Sequence, residues 1–333
     1  MVTVALNGFG RIGKNFLRSL FNDENALQKI KLAAINCGPT DPQVVGHSFM
    51  YDSLLGTFKG SVSTNGNVLT INGHNITLYA ETDISRINWN KHSIDWVVDA
   101  SGKFTKREDA QKHIDSGAQR VLISAPSLDA DVTIVLGVNG SDYTDQKIVS
   151  LGSCTTNAVA PILKCLDESY TLTSAYMMTI HSYTNNQLLL DGNNPDVRRS
   201  RSATLNMIPT TTGAMKVVDK VLPQLAGKIA GSALRVPTSR VSLIDLSFTA
   251  EESFTTESLN DLFLSVSKNK LQGVMEVATE PLVSSDFALN DHSIIVDKLL
   301  TTTIGSMGKV YGWYDNEWGY SCRLKDFLLQ INA

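Results

Sequence analysis

The chain begins with a short apolar run rich in β-branched residues, Thr3–Asn7, that stops at Gly8-Phe9-Gly10-Arg11-Ile12-Gly13. In KNFLRSLFN, which follows, Phe16, Leu17, Leu20 and Phe21 recur at helical spacing. A second apolar run, IKLAAIN, covers Ile30–Asn36. The pattern predicts strand, Gly-rich turn, helix and strand, one βαβ unit. VLTINGHNITLYA alternates on either side of Asn72-Gly73 and predicts a hairpin. IDWVVDASG and QRVLISAP read as buried strands, and TKREDAQKHIDSG between them as a helix stopped by Gly117. VTIVLGVN and KIVSLGS add two more expected strands. This alternation predicts an α/β Rossmann domain over residues 1–153, a doubly wound parallel sheet.

The texture changes near Cys154. A helical run, AVAPILKCLDESY, leads into LTSAYMMTIHSYT, RVSLIDLSFTAEES and KVYGWYD, which are longer and alternate. They predict an α+β domain over 154–316, with a mostly antiparallel sheet and helices on one face. In the closing segment, 317–333, Leu324, Phe327, Leu328 and Ile331 share a helical face. That helix is expected to return to the first domain and complete it.

Composition narrows the classes. A chain of 333 residues, 42% hydrophobic and 19% charged, has material for two cores. A net charge of −4 gives no reason to expect nucleic acid as the main ligand or an anionic membrane surface. The N-terminus has no signal-peptide pattern and no apolar run approaches a membrane span, so a cytoplasmic setting is expected. Cys37, Cys154, Cys165 and Cys322 form no CxxC pair, so neither a disulfide framework nor a metal site is expected.

Gly8, Gly10 and Gly13 fit G-x-G-x-x-G between a strand and a helix. The first allows a tight turn, the second lets a pyrophosphate approach the backbone, and the third lets the helix meet the strand. The helix N-terminus offers amide donors and the positive end of its dipole. This context points to NAD or NADP. The second strand of such units usually ends in a carboxylate that holds the adenine ribose. Here it ends Asn36-Cys37-Gly38-Pro39, with no carboxylate before Asp41, which makes NADP admissible.

Cys154, in LGSCTTN, opens a helical pattern. It reads either as a packed small hydrophobe or as a nucleophile whose pKa the helix end lowers. His181, 27 residues on, is either structural or its acid–base partner. Arg198, Arg199, Arg201 and Arg235 neighbour hydroxyl clusters at Thr184 and Thr210-Thr211-Thr212-Gly213. They read as a solvated face or as a phosphate site.

NGFGRIG, SCTTN, HSYTNNQ, IPTTTGAMK, LRVPT and WYDNEWGY occur in this order, joined by FTKREDA and EPLVSSDF. Together they resemble the phosphorylating glyceraldehyde-3-phosphate dehydrogenases from end to end. The resemblance implies oxidation of glyceraldehyde 3-phosphate to 1,3-bisphosphoglycerate with reduction of NAD(P), in glycolysis or gluconeogenesis. Cys154 would form a thiohemiacetal and then a thioester, with His181 as its partner. Thr184, Arg199 and Arg235 would hold the substrate phosphate. Ser153, Thr155, Thr212 and Gly213 would receive inorganic phosphate. Arg11 and Ile12 would meet the pyrophosphate, Ser101 and Ser124 other parts of the cofactor, Asn316 the carboxamide and Tyr320 the nicotinamide ring. The resemblance further implies a homotetramer in which residues 182–205 reach a neighbour's cofactor site.

Some positions depart from the family pattern. Ala158 stands where a second Cys is frequent, Asn186 where Asp is frequent, and Gly192-Asn193 where NAD-specific members carry Leu-Pro. Gly192-Asn193 and Cys37 together suggest NAD use with unusual tolerance of NADP. Erythrose-4-phosphate dehydrogenase is similar in SCTTN and RVPT, but Tyr183-Thr184-Asn185 and Trp313-Tyr314 side with the glyceraldehyde phosphate enzymes. A non-enzymatic scaffold or RNA-binding role is a further alternative; intact Cys154, His181 and Arg235 argue against it.

Overall fold

The computed structural model describes residues 1–331, so the last two positions of the helix expected over 317–333 lie outside the described residues. The chain forms two compact units. One holds Met1–Ile134, Ser141–Gly152 and the stretch from Ser321 onward; the other holds Val135–Gly140 and Ser153–Tyr320.

In the first unit, nine strands form one sheet, in the order Val132–Thr133, Ile148–Ser150, Arg120–Ile123, Trp96–Asp99, Val2–Asn7, Ile30–Asn36, His74–Tyr79, Val68–Ile71, Val62–Asn65. All pairs are parallel up to His74–Tyr79, and the last two strands add an antiparallel edge. The hairpin turns at Asn72-Gly73, both at positive φ. Val2–Asn7 lies between the strand that follows it and a strand 90 residues later, so the winding reverses direction at its C-terminal end. The helix Arg11–Phe21 buries Phe16, Leu17, Leu20 and Phe21, the face its spacing predicts. The C-terminal helix, Trp318–Gln330, sets Phe327 edge-on to Trp96 and Tyr143, and Lys325 donates to Asp23 at 2.6 Å.

The strand expected from VTIVLGVN is cut to Val132–Thr133. The Asn139 side chain accepts from Val135 N (2.8 Å), Val138 N donates back to Val135 O (3.0 Å), and Gly137 takes φ +80°. A Cβ at Gly137 would meet Leu271 Cδ2 at 2.6 Å, so turn and packing both require glycine.

In the second unit the sheet order is Ile208–Thr210, Ile229–Val236, Leu172–Ser182, Ser242–Ala250, Met307–Tyr314, Ile294–Asp297, Met275–Ala278, with Thr302–Ile304 paired to Met307–Tyr314. Most pairs are antiparallel, but Leu172–Ser182 runs parallel to Ile229–Val236, and Met275–Ala278 to Ile294–Asp297. The helices Cys154–Tyr170, Ala214–Val221 and Thr256–Lys268 cover one face. Ile162, Leu166, Val218 and Phe263 meet Met177, Leu246 and Val310 there in one core. Burial of this apolar surface is the main force holding helices to sheet, at roughly 25 cal/mol per Å².

Candidate active site

The helix Cys154–Tyr170 begins with Cys154 because Ser153 caps it: the Ser153 hydroxyl accepts from Thr156 N at 3.0 Å. The neighbouring strands Leu172–Ser182 and Ile229–Val236 pair in a register that sets His181 opposite Arg235. Cys154 Sγ and His181 Nε2 come within 3.6 Å, a contact suited to proton exchange. His181 is 4% exposed. Its Nδ1 lies 2.7 Å from Ser182 O and also against Arg235 Nη1, which donates to Ser182 O at 2.9 Å.

These contacts define two tautomers. With its proton on Nδ1, His181 donates to Ser182 O and turns the Nε2 lone pair toward the thiol. With its proton on Nε2, the ring accepts from Arg235, which can only donate. The first tautomer can act as a base. Burial, then the Arg235 charge, push the His181 pKa down to about 3 against the Ser182 carbonyl, so the resting imidazole is neutral.

The expectation of a thiol with its pKa lowered by the helix end is not met. Burial raises the Cys154 pKa above its usual range. Arg235, the Thr155 hydroxyl and the local backbone amides pull the other way and do not cancel it. Desolvation outweighs the dipole because the sulfur stands in an apolar wall, against the unit's core. The thiol is therefore protonated at rest, and its activation requires transfer of that proton to His181.

Arg235 is half-buried, and among the described residues its buried Nε has no hydrogen-bond partner. Burial lowers its pKa, and the neighbouring Arg199 adds to this. Two guanidiniums with an unused donor form a site for an anion. Arg199 Nε and Nη2 donate to Thr210 Oγ1 at 3.1 and 2.9 Å, with Asp196 alongside. Thr184 Oγ1 donates to Asn186 Oδ1 at 2.9 Å. Thr212 Oγ1 accepts from Ala214 N at 3.2 Å, and a Cβ at Gly213 would stand in open space. The Thr155 hydroxyl pairs with Tyr314 OH (3.0 Å), and both this hydroxyl and the Thr155 backbone amide are turned to the thiol.

Tyr314 is marked by the sequence as a family feature but not as a site residue. It is 1% exposed, its hydroxyl also meets Thr179 Oγ1 at 2.7 Å, and its ring stands edge-on to His181. The signal was present in WYDNEWGY, but nothing local marks one aromatic of that motif as buried beside the thiol. Tyr320 is buried near the start of the C-terminal helix, and burial followed by the Cys154 charge raises its pKa.

In the first unit a cavity of about 340 Å³ is lined by Asn7, Gly8, Gly10, Asn36, Cys37 and Ser101, among others. A Cβ at Gly8 would meet Ser101 backbone at 2.6 Å, and one at Gly13 would meet Gly8 O at 2.2 Å. A Cβ at Gly10 would meet nothing within 4 Å, so the space over the turn is left open. No side chain caps the helix Arg11–Phe21 and no acidic residue stands in its first turn, which suits a pyrophosphate. The Arg11 guanidinium pairs with Asp52, and Ile12 follows it in the first turn of the helix, whose main-chain amides are what the two can offer an anion. Ser124 N is held by Asp99 O at 2.9 Å, and Ser124 is outside the cavity lining. Asp41, the nearest carboxylate after the second strand, caps the helix Pro42–Met50 through Gln43 N at 2.7 Å.

A family model described as "Glyceraldehyde 3-phosphate dehydrogenase, NAD binding domain" matches residues 2–107, and one described as "Glyceraldehyde 3-phosphate dehydrogenase, C-terminal domain" matches residues 153–316. The chain is 43% identical to glyceraldehyde-3-phosphate dehydrogenase 1 of Bacillus subtilis (strain 168), over 99% of this chain and 98% of that protein. It is 44% identical to glyceraldehyde-3-phosphate dehydrogenase of Geobacillus stearothermophilus, with the same coverage. Glyceraldehyde-3-phosphate dehydrogenase 2 of Trichormus variabilis (strain ATCC 29413 / PCC 7937) is 43% identical over 98% of this chain and 97% of its own length. With a glycine cradle in one unit, a thiol–imidazole pair in the other, and relatives alike along their whole length, the chain belongs to the glyceraldehyde-3-phosphate dehydrogenase family.

Proposed function

We propose that the chain oxidises glyceraldehyde 3-phosphate with inorganic phosphate to 1,3-bisphosphoglycerate and reduces NAD. The observation that carries this reading is the Cys154–His181 contact with half-buried Arg235, whose Nε donor is unused, beside it. NAD, when bound, accepts the hydride from the substrate carbon. Gly8, Gly10, Gly13, Arg11, Ile12, Asn36, Cys37, Ser101 and Ser124 would hold its adenosine and pyrophosphate, Asn316 and Tyr320 its nicotinamide.

A phosphate dianion on Arg235 offsets the positive charge that depresses the His181 pKa, so substrate binding makes His181 a stronger base. His181 takes the thiol proton as sulfur bonds to the aldehyde carbon. The amides at the head of the Cys154–Tyr170 helix face the charge that develops there. Loss of hydride from that carbon leaves a thioester on Cys154. An oxygen of inorganic phosphate, brought in by Ser153, Thr155, Thr212 and Gly213, attacks it; the carbon–sulfur bond breaks and His181 returns its proton to the sulfur. Thr184, Arg199 and Arg235 hold the substrate's own phosphate. Steady-state assays with phosphate present and omitted test this. Turnover should stop after acylation when phosphate is absent; equal rates in both would overturn the phosphorylating reading.

NADP tolerance rests on Cys37. Burial pushes its thiol up to about 12, so it carries no charge that would repel a 2′-phosphate, and Asp41 is engaged as a helix cap. Cys37→Asp should lower kcat/KM for NADP relative to NAD by about 10–100-fold, since like-charge contact costs a few kcal/mol. An unchanged ratio would place cofactor choice elsewhere.

Self-association into a homotetramer fits Leu189, Leu190, Val197, Leu205 and Met207, each at least 70% exposed within one segment. A reducing, cytoplasmic compartment fits four free cysteines.

A further inference from the structure

Asn316 follows the strand Met307–Tyr314 by two residues and is 4% exposed. Its Oδ1 accepts from two hydroxyls, Ser182 Oγ at 2.9 Å and Ser242 Oγ at 3.1 Å. Both serines are buried, and they stand at the ends of the neighbouring strands Leu172–Ser182 and Ser242–Ala250. Ser242 Oγ also accepts from Ser182 N at 3.1 Å, which leaves the Ser242 proton for Asn316. Two donors fill both acceptor positions of the amide oxygen and settle its orientation. Flipping the amide would replace that oxygen with an NH2 and leave both serine protons without an acceptor among the described residues. Among the described residues, Asn316 Nδ2 has no acceptor. Nδ2 is not one of the buried unpartnered atoms, so this unused donor beside a saturated oxygen is open to an acceptor brought from outside, water or ligand.

We propose that Ser182 and Ser242 are positioning residues that clamp the Asn316 amide with its NH2 outward, as the donor to the carboxamide carbonyl of the nicotinamide ring. This rests on the reading of Asn316 as a cofactor contact. The arrangement selects the carbonyl half of the carboxamide, because the clamped amide presents no acceptor for the ligand's own NH2. It also couples two tasks in one residue: the Ser182 side chain orients the cofactor anchor, while its carbonyl is the acceptor beside His181 Nδ1.

The test measures binding of NAD, of 3-acetylpyridine adenine dinucleotide, which keeps the carbonyl but lacks the amide NH2, and of ADP-ribose, which lacks the ring. Ser182→Ala is the cleanest variant, since among the described residues its hydroxyl bonds only to Asn316. Ser182→Ala and Asn316→Ala should each weaken both ring-bearing cofactors about 3–10-fold, the worth of one neutral hydrogen bond. ADP-ribose should bind all variants as it binds wild type, which also certifies their fold. The Ser182→Ala effect should vanish in an Asn316→Ala background, and Ser242→Thr should restore what Ser242→Ala loses. Weaker ADP-ribose binding in Ser182→Ala, or a Ser182→Ala effect that persists without Asn316, overturns the clamp. If Asn316→Ala binds NAD normally, the cofactor-contact reading itself fails. If Asn316→Ala is weakened and Ser182→Ala is not, only the clamp fails.

Discussion

Cys154→Ser is expected to lower glyceraldehyde 3-phosphate oxidation by a factor on the order of 10⁴–10⁶ while leaving NAD affinity within about twofold, as removal of a nucleophile does elsewhere. The substitution keeps the size and the capping geometry at the start of the Cys154–Tyr170 helix. It replaces sulfur with an alcohol whose proton is far harder to remove, and the neutral His181 is too weak a base to remove it. Rapid-quench detection of acyl-enzyme and steady-state rates both report on it. Retention of a tenth of the wild-type rate, or an acyl group trapped on another residue, would end the covalent reading.

His181→Asn is expected to cost a factor on the order of 10²–10⁴ in kcat, the usual worth of a general acid–base group. Because the thiol pKa is raised, the variant must lose that proton to solvent, so its residual rate should climb steadily toward alkaline pH. A second readout is stability. The fold holds His181 neutral down to about 3, whereas the unfolded chain protonates it near its ordinary 6.5. Between those values the unfolded state binds more protons, so this residue's contribution to stability is whole above 6.5 and shrinks as pH falls toward 3. His181→Asn should flatten that part of the acid-stability curve, measured by denaturant melts. A wild-type rate together with an unchanged acid limb would place both the base and the buried imidazole elsewhere.

Much of the first unit was legible because its instructions are local. The apolar face of Arg11–Phe21, the Asn72-Gly73 turn and the glycine stop at Gly117 are each read from a few adjacent residues. The strand expected across VTIVLGVN failed for the opposite reason: Asn139 captures Val135 N, and Leu271, more than 130 residues away, demands a glycine at 137. The strand Ile229–Val236 had no clear alternation, since it lies between two other strands and is only partly buried.

By itself the sequence determined the βαβ opening, the glycine cradle, the change of texture near Cys154 and, through six ordered motifs, the family. These depend on periodicity and on residue types at close spacing, which survive without coordinates. Only the tertiary structure decided that His181 stands opposite Arg235, that Tyr314 and two serines close around the site, and that the Cys154 thiol rests protonated. Strand register and desolvation are the reasons. The first is set by pairing between segments more than 50 residues apart, and the second by how much apolar surface the whole fold gathers around one sulfur.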